Sequence, residues 1–172
     1  MEQLNTYLIK AIENYPYDLE ATVESLQYAY SVDDKSPMTL CLMGRVQADV
    51  FKNYELAKDY FSEALAIDIY SFDVYFYYID VLLWNEDFEE AKRLIDFALA
   101  LKGSNKGMLY LKKVILLEYK RSYNQALKVL KEAKMNAFES DFIDELQLVK
   151  ARIKSKMPKN KKKKKAKEEK LA

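Results

Sequence analysis

The side chains that most often carry out enzyme chemistry are scarce in this chain. It contains no histidine, which is the commonest general base and metal ligand in proteins. Its one cysteine, Cys41, has no histidine to activate it, which argues against a thiol protease and against a zinc site. Three scattered glycines cannot form a phosphate-binding loop. We therefore expect a protein that is not an enzyme and that needs neither a metal nor a cofactor.

Carboxylates are abundant, and adjacent acidic pairs occur at Asp33-Asp34, Glu89-Glu90 and Asp144-Glu145. These pairs fall at expected helix starts or on expected outer faces. Acidic side chains at a helix start interact favourably with the helix dipole. We interpret the pairs as caps and solvated charge, not as general acid and base partners.

The most unusual stretch is a run of four aromatic residues, Tyr75-Phe76-Tyr77-Tyr78, followed by Trp84. Four consecutive residues of a helix spread over most of a turn, so one or two of these rings must face away from the core. Exposed aromatics close to arginine are typical of protein-binding surfaces. Two interpretations stay open. The run could form a binding surface, or Tyr75 and Tyr78 could be core residues beside rings that line a partly filled groove.

The elements that hold these side chains follow from a pattern that recurs after 34 residues. Asn53–Lys58 and Asp87–Lys92 each contain an aromatic residue with Ala at +3, and a bulky apolar residue and a second Ala follow at +7 and +10. A looser third copy begins at Ser122, at an offset of 35 residues. These positions share one face of a helix, and a period of this length is typical of stacked helix-turn-helix units. The aligned positions are Tyr54 and Phe88, Ala57 and Ala91, Phe61 and Ile95, and Ala64 and Ala98.

The repeated pattern resembles the tetratricopeptide repeat family over residues 38–136, and more weakly over residues 4–37. That family places a small residue midway along the first helix of each pair. Gly44 lies near this position but one residue out of register with Ala57. The mismatch predicts a one-residue insertion in the turn at 49–53.

Two features depart from the family pattern. Ile79 and Val114 occupy the small position in the next two units. The proline that usually closes a unit is absent after Ile67 and after Leu101. A related repeat of helical pairs is therefore an alternative.

The resemblance implies an all-α solenoid of about four antiparallel helix pairs with a C-terminal capping helix. It also implies a concave groove, lined by the first helix of each pair, that binds peptides. Some family members hold the C-terminal carboxylate of a partner with Lys and Asn, and only Lys112 among the matching positions suits that role. Arg45 and Lys112 could still pair with acidic groups of a partner. The residues implied to line the groove are Arg45, Phe76, Tyr77, Asp80, Trp84, Lys112 and Tyr119.

Apolar spacing and capping residues predict where the helices begin and end. The expected helices span about 4–14, 18–30, 38–52, 54–68, 71–85, 88–102, 106–120, 123–136 and 141–156. The expected caps are Asp18, Ser36 before Pro37, Ser71, and two capping boxes, Asp87 with Glu90 and Ser122 with Gln125. We expect 102–105 to be the longest loop between units.

The net charge of +1 hides a strong asymmetry along the chain. Residues 1–101 contain 7 basic and 19 acidic residues, a net charge of −12, whereas residues 150–172 contain 12 basic and 2 acidic residues, a net charge of +10. Residues 158–172 lack apolar periodicity, so we expect a disordered Lys-rich tail after a repeat domain at 1–157. The stretch Lys159–Lys170 could be a solubilising extension, a weak contact for nucleic acid or the ribosome, or an attraction to an anionic membrane surface.

Composition also bounds the function. The chain lacks a run of 18 apolar residues, so no transmembrane helix is expected, and its start lacks the basic and apolar regions of a signal peptide. One cysteine cannot form an internal disulfide, and we expect a cytoplasmic protein. The sequence favours a non-enzymatic scaffold or adaptor that binds a peptide or helix of a protein partner in the concave groove. The alternative is an RNA- or ribosome-associated protein that acts through its basic tail.

Overall fold

The computed structural model describes residues 5–158, and this part of the chain is an array of nine α-helices. The helices are α1 (Thr6–Asn14), α2 (Leu19–Val32), α3 (Pro37–Asp49), α4 (Tyr54–Ile67), α5 (Phe72–Trp84), α6 (Phe88–Ala100), α7 (Lys106–Tyr119), α8 (Tyr123–Met135) and α9 (Ser140–Lys156). The tail expected at 158–172 lies almost wholly outside the described residues. None of these nine helices is both long enough and apolar enough to cross a bilayer.

The helices pack as four consecutive pairs, α1 with α2, α3 with α4, α5 with α6, and α7 with α8, and α9 packs on α8. This arrangement confirms the expected all-α solenoid with a C-terminal capping helix. The first helices α3, α5 and α7 also pack on one another in succession, whereas the second helices α4, α6 and α8 do not pack together to the same extent. The array therefore curves with its first helices on the inside.

The repeated apolar positions form the core of each pair. The alanines and bulky residues that align between units are all buried, with the bulky residues between paired alanines. The small alanine side chains let the neighbouring helix approach closely, and each bulky side chain fills the space that remains. The buried positions are Ala57, Phe61 and Ala64 in α4, Ala91, Ile95 and Ala98 in α6, and Ala126, Leu130 and Ala133 in α8.

The Phe61 ring explains why the pair of α3 and α4 needs a small residue at position 44. A Cβ atom on Gly44 would lie 2.7 Å from Cε1 of Phe61, which is too close for any side chain to fit without movement. Ile79 and Val114 replace the small residue in the next two units, where the second helix carries an aliphatic residue in place of Phe61. The volume lost at one position is therefore regained at the other.

The turn inside each pair keeps one backbone conformation although its sequence changes. Lys52, Glu86 and Arg121 each lie directly before the second helix's N-cap and have positive φ, at 55°, 62° and 55°. The N-cap amide that follows donates to a carbonyl in the last turn of the first helix in all three units, at 2.9, 2.8 and 2.8 Å. The linker at 50–53 has four residues and those at 85–87 and 120–122 have three, which confirms the one-residue insertion expected at 49–53.

Most helix ends fall close to their expected positions, with one larger difference. Helix α3 ends at Asp49 rather than at 52, because the turn with its left-handed residue Lys52 begins earlier. The loop between α6 and α7 has five residues, against four in the other loops between pairs, so it is the longest of these loops, as expected.

All five expected N-cap residues occupy the N-cap position, but only two of them form the side-chain hydrogen bond of a cap. Asp18 and Ser36 accept hydrogen bonds from Ala21 N and Thr39 N, at 3.0 and 3.3 Å. At Ser71, Asp87 and Ser122 the residue occupies the N-cap position but its side chain accepts no hydrogen bond from the helix.

Other partners account for two of these three failures. Ser71 donates to Asp68 at 2.9 Å, so its hydroxyl is turned away from the helix amides. The Asp87 carboxylate instead accepts a hydrogen bond from the Lys58 ammonium at 2.8 Å, and the Glu90 carboxylate accepts one from the Tyr78 hydroxyl at 3.0 Å. Neither side chain of the predicted capping box therefore caps the helix.

Candidate partner-binding face

The first helices α3, α5 and α7 form the surface that we call the inner face. Side chains at spacings of three, four and seven residues along α5 and α7 point to this side, and contacts between successive helices join them. Six of the seven residues implied to line a groove take part in the contacts described below, and the seventh, Phe76, is half-buried and packs against the main core cluster.

Arg45 and Tyr77 connect α3 to α5. The guanidinium carbon of Arg45 lies 4.2 Å from the centre of the Tyr77 ring and 4.6 Å from the centre of the Tyr15 ring. The cation is therefore held between two aromatic rings, an arrangement that stabilises a guanidinium and fixes its orientation. The Arg45 Nε atom is buried and makes no hydrogen bond within the described residues.

Tyr15 completes this cluster from the end of α1. Its hydroxyl donates a hydrogen bond to the carboxylate of Asp49. Burial, together with that hydrogen bond, raises the pKa of Tyr15 to about 12, so the phenol stays protonated at neutral pH. Sequence analysis missed Tyr15, because it lies beyond the helix stripe that predicted α1, and only its aromatic type could have suggested a role.

Asp80 and Lys112 connect α5 to α7. The Lys112 ammonium contacts both carboxylate oxygens of Asp80, at 2.6 and 2.7 Å, and only 12% of the Lys112 side chain is exposed. Burial raises the pKa of Asp80, and the attraction of Lys112 opposes this shift without cancelling it. The one lysine that suited a carboxylate clamp is thus already engaged inside the protein.

Trp84 and Tyr119 are the two large aromatic side chains of this face that remain about half exposed, at 46% and 48%. Each lies at the last residue of its helix and contacts the first residue of the second helix in the preceding pair. The ring of Trp84 lies 6.3 Å from that of Tyr54, and the ring of Tyr119 lies 5.8 Å from that of Phe88. An exposed aromatic residue at the end of a first helix, packed against the first residue of the preceding second helix, therefore recurs in two successive units.

The aromatic run divides between the core and this face. Tyr75 and Tyr78 are buried, and their hydroxyls donate to the carbonyl of Ile69 and to Glu90, both at 3.0 Å. Phe76 and Tyr77 are half-buried. The structure thus confirms that Tyr75 and Tyr78 are core residues. Tyr77 stacks on Arg45 within the protein, and a binding surface formed by the run stays a prediction.

Glu118 extends the series of contacts from α7 to α9, and sequence analysis missed it. Arg152 donates to its two carboxylate oxygens at 3.0 and 2.8 Å, and Lys156 adds a contact at 2.7 Å. Burial opposes the ionisation of Glu118, but the hydrogen bonds from the two cations outweigh it and hold its pKa below the ordinary value. The only sequence signal for this contact was the separation of 34 residues between Glu118 and Arg152, which is the length of one repeat.

The thiol of Cys41 shows no sign of chemical activation. The side chain is buried, with 7% of its surface exposed. Burial raises the pKa of Cys41 to about 12, so the thiol is protonated at neutral pH and is a poor nucleophile.

Comparisons with known proteins find similar chains among solved structures, where seven chains match at a significant level. No protein-family model matches the chain, and no curated protein matches it at a significant level. A chain from a structure described as "Functional Characterization of Pseudomonas Aeruginosa pilF" is 16% identical, with a TM-score of 0.46, over 86% of this chain and 87% of that chain. At this level of similarity the likeness has no bearing on function.

Proposed function

We propose that the chain is a non-enzymatic scaffold of the tetratricopeptide type, and that its inner face binds a peptide or helix of a protein partner. The observation that supports this function most directly is the repeated exposure of Trp84 and Tyr119. Large aromatic side chains that lose their exposed area on binding dominate the affinity of many protein interfaces. In this proposal the two rings are the main contacts for the partner.

The charged residues of the inner face make contacts within the protein. Arg45 is stacked between Tyr15 and Tyr77, and Lys112 is paired with Asp80, so these cations hold successive helices in register. A partner that used them for its own acidic groups would first have to break these contacts. We therefore propose that affinity depends on the aromatic pair and that the charges fix the shape of the surface.

The test is affinity capture from the native cell extract with the full-length chain and matched variants. Trp84→Ala with Tyr119→Ala removes the exposed rings, whereas Phe97→Ala removes a ring of similar exposure, 47%, from the second helix α6. A protein captured by the wild type and by Phe97→Ala, but lost with the double variant, supports the proposal. Equal capture by all three proteins would contradict it.

The second candidate function rests on the eight lysines of the stretch Lys159–Lys170. Such a polycation can release counterions from phosphates and bind RNA or ribosomes with a strong salt dependence. A variant that lacks residues 158–172 separates the two functions. Loss of salt-sensitive RNA binding with intact protein capture would assign the two activities to different parts of the chain.

A further inference from the structure

A groove outside the inner face runs between α8 and α9. Leu130 and Leu146 form its floor, and Leu127 and Ile143 form its walls. The groove has a volume of about 270 Å³. On each helix the two aliphatic lining residues lie three positions apart and share one face, so two short apolar patches meet in the groove, beside Gln147.

Four lysines surround this apolar floor. Lys131 and Lys134 stand on α8, and Lys150 and Lys154 stand on α9. All four are exposed, and none forms an ion pair or a side-chain hydrogen bond within residues 5–158. Lys112 of the inner face differs in this respect, because it is paired with Asp80.

We propose that this groove binds an acidic amphipathic helix of another protein. The apolar stripe of such a helix would cover the leucines and the isoleucine, and Asp or Glu residues along both sides would meet the four lysines. The stretch from Ile143 to Lys154 contains 12 residues, or about 18 Å of helix, which matches about three turns of a bound helix. The recognition mode is a helix in a groove, with charge complementarity selecting acidic sequences.

The next part of this chain has the wrong composition to fill the groove. Residues 159–172 contain eight lysines and two glutamates, and their few apolar residues do not form a helical stripe. Like charges would repel that segment from the four lysines. An occupant of opposite charge must therefore come from outside the segment.

The chemistry of the floor favours a protein over a nucleic acid. Single-stranded nucleic acid is bound by aromatic side chains on which bases stack, and the floor and walls are aliphatic. Aliphatic stripes with a charged rim are typical of surfaces that bind amphipathic helices. The groove also shares no lining residue with the small depression formed by Ile115, Glu118, Tyr119, Arg152 and Lys156 on the inner side.

The experiment uses a synthetic stapled helical peptide of about three turns, with leucines at i, i+3, i+4 and i+7 and glutamates on both flanks. It is titrated into the full-length ¹⁵N-labelled chain, and amide chemical shifts are followed by NMR. A second peptide keeps the leucines and replaces the glutamates by lysines. We expect shifts at 127–134 and 143–154 with the acidic peptide, and an affinity at least roughly tenfold weaker for the basic one.

Two protein variants locate the interaction. One variant replaces the four lysines by glutamate, and its affinity for the acidic peptide should fall by at least roughly tenfold. The other replaces the same lysines by arginine and should bind the peptide as the wild type does. The four positions are Lys131, Lys134, Lys150 and Lys154. All four residues are exposed, so both variants should fold, which circular dichroism verifies. The variant Trp84→Ala with Tyr119→Ala should bind the peptide as the wild type does, which separates this groove from the proposed function of the inner face.

Several results would overturn the proposal. These are shifts confined to the inner face, equal affinity for both peptides, and no shifts in the groove. Concentration-dependent shifts at 127–134 without peptide would instead identify a second copy of the chain as the occupant. Displacement of the peptide by a single-stranded RNA that shifts the same amides would identify a nucleic-acid surface.

Discussion

Lys112 and Asp80 form an ion pair between successive first helices, with the ammonium within 2.7 Å of both carboxylate oxygens. The pKa of Asp80 is nonetheless raised, because its burial outweighs the attraction of Lys112. The pair therefore links α5 to α7 without clearly stabilising the fold. This is a common property of partly buried ion pairs, for which desolvation offsets much of the Coulomb energy.

Lys112→Met should lower the free energy of unfolding at pH 7 by about 2 kcal/mol, because Asp80 is left charged without its partner. Adding Asp80→Asn should restore stability to within about 1 kcal/mol of the wild type. Urea denaturation followed by circular dichroism measures both values. If the double variant is as unstable as the single one, the balance that we infer is wrong.

The same single variant should respond to pH in a defined direction. A carboxyl whose pKa is higher in the folded protein than in the unfolded chain binds protons more tightly when folded, so stability increases as pH falls towards its ordinary value of 3.8. Lys112→Met removes the opposing attraction and enlarges this effect. Its stability deficit relative to the wild type should therefore shrink between pH 7 and pH 4, close to the ordinary value of 3.8. The comparison of urea midpoints at the two pH values provides the measurement.

The close approach of Phe61 to Gly44 limits the size of the residue at position 44. Gly44→Ala should lower the free energy of unfolding by about 1–3 kcal/mol, because the new Cβ would lie 2.7 Å from Cε1 of Phe61. In a Phe61→Leu background the added penalty of Gly44→Ala should be smaller, since the opposing ring is gone. Thermal or urea unfolding of the four proteins in this cycle checks the coupling. An identical penalty in both backgrounds would show that the contact does not limit the residue at position 44.

Arg152 and Lys156 hold the pKa of Glu118 below its ordinary value of 4.5. A group with a lowered folded-state pKa contributes stability above its unfolded pKa, and this contribution is lost as pH falls through the folded-state pKa. Glu118→Gln should therefore be less stable than the wild type at pH 7, by about 1–3 kcal/mol for a buried charged hydrogen-bond acceptor. The difference should decrease below pH 4.5.

A control separates this effect from general acid destabilisation. Glu139→Gln changes an exposed carboxylate at the start of α9 that forms no ion pair with any of residues 5–158. This substitution should change the free energy of unfolding little, both at pH 7 and below pH 4.5. A constant difference between wild type and Glu118→Gln from pH 7 to pH 3 would contradict the assignment.

The packing of the solenoid could be predicted from the sequence because small and bulky residues recur with one period. Ala57, Ala91 and Ala126 are buried where the pattern places them, and the extra residue at 50–53 followed from the register of Gly44. These features depend on residue size and spacing, which are local properties of the sequence.

The polar contacts could not be predicted in the same way. Serine and aspartate are residue types that favour N-cap hydrogen bonds. The side chain of Ser71 nevertheless bonds to Asp68, and that of Asp87 bonds to Lys58. The choice between such partners depends on which side chains the packed helices bring together. The link from Glu118 to Arg152 and the stacking of Arg45 on Tyr15 likewise join residues about 30 or more apart in the sequence. The groove between α8 and α9 becomes visible only once those helices are packed.

We propose that the exposed rings of Trp84 and Tyr119 form the main contact for a protein partner. The most direct measurement is the affinity of the captured partner for the wild type, for Trp84→Ala with Tyr119→Ala, and for the matched control Phe97→Ala, by isothermal titration calorimetry. We predict that the double variant loses about 2 kcal/mol or more of binding free energy, roughly a 30-fold change in Kd, and that the control stays close to wild type. Equal affinities for all three proteins, or the same loss for Phe97→Ala, would contradict the claim.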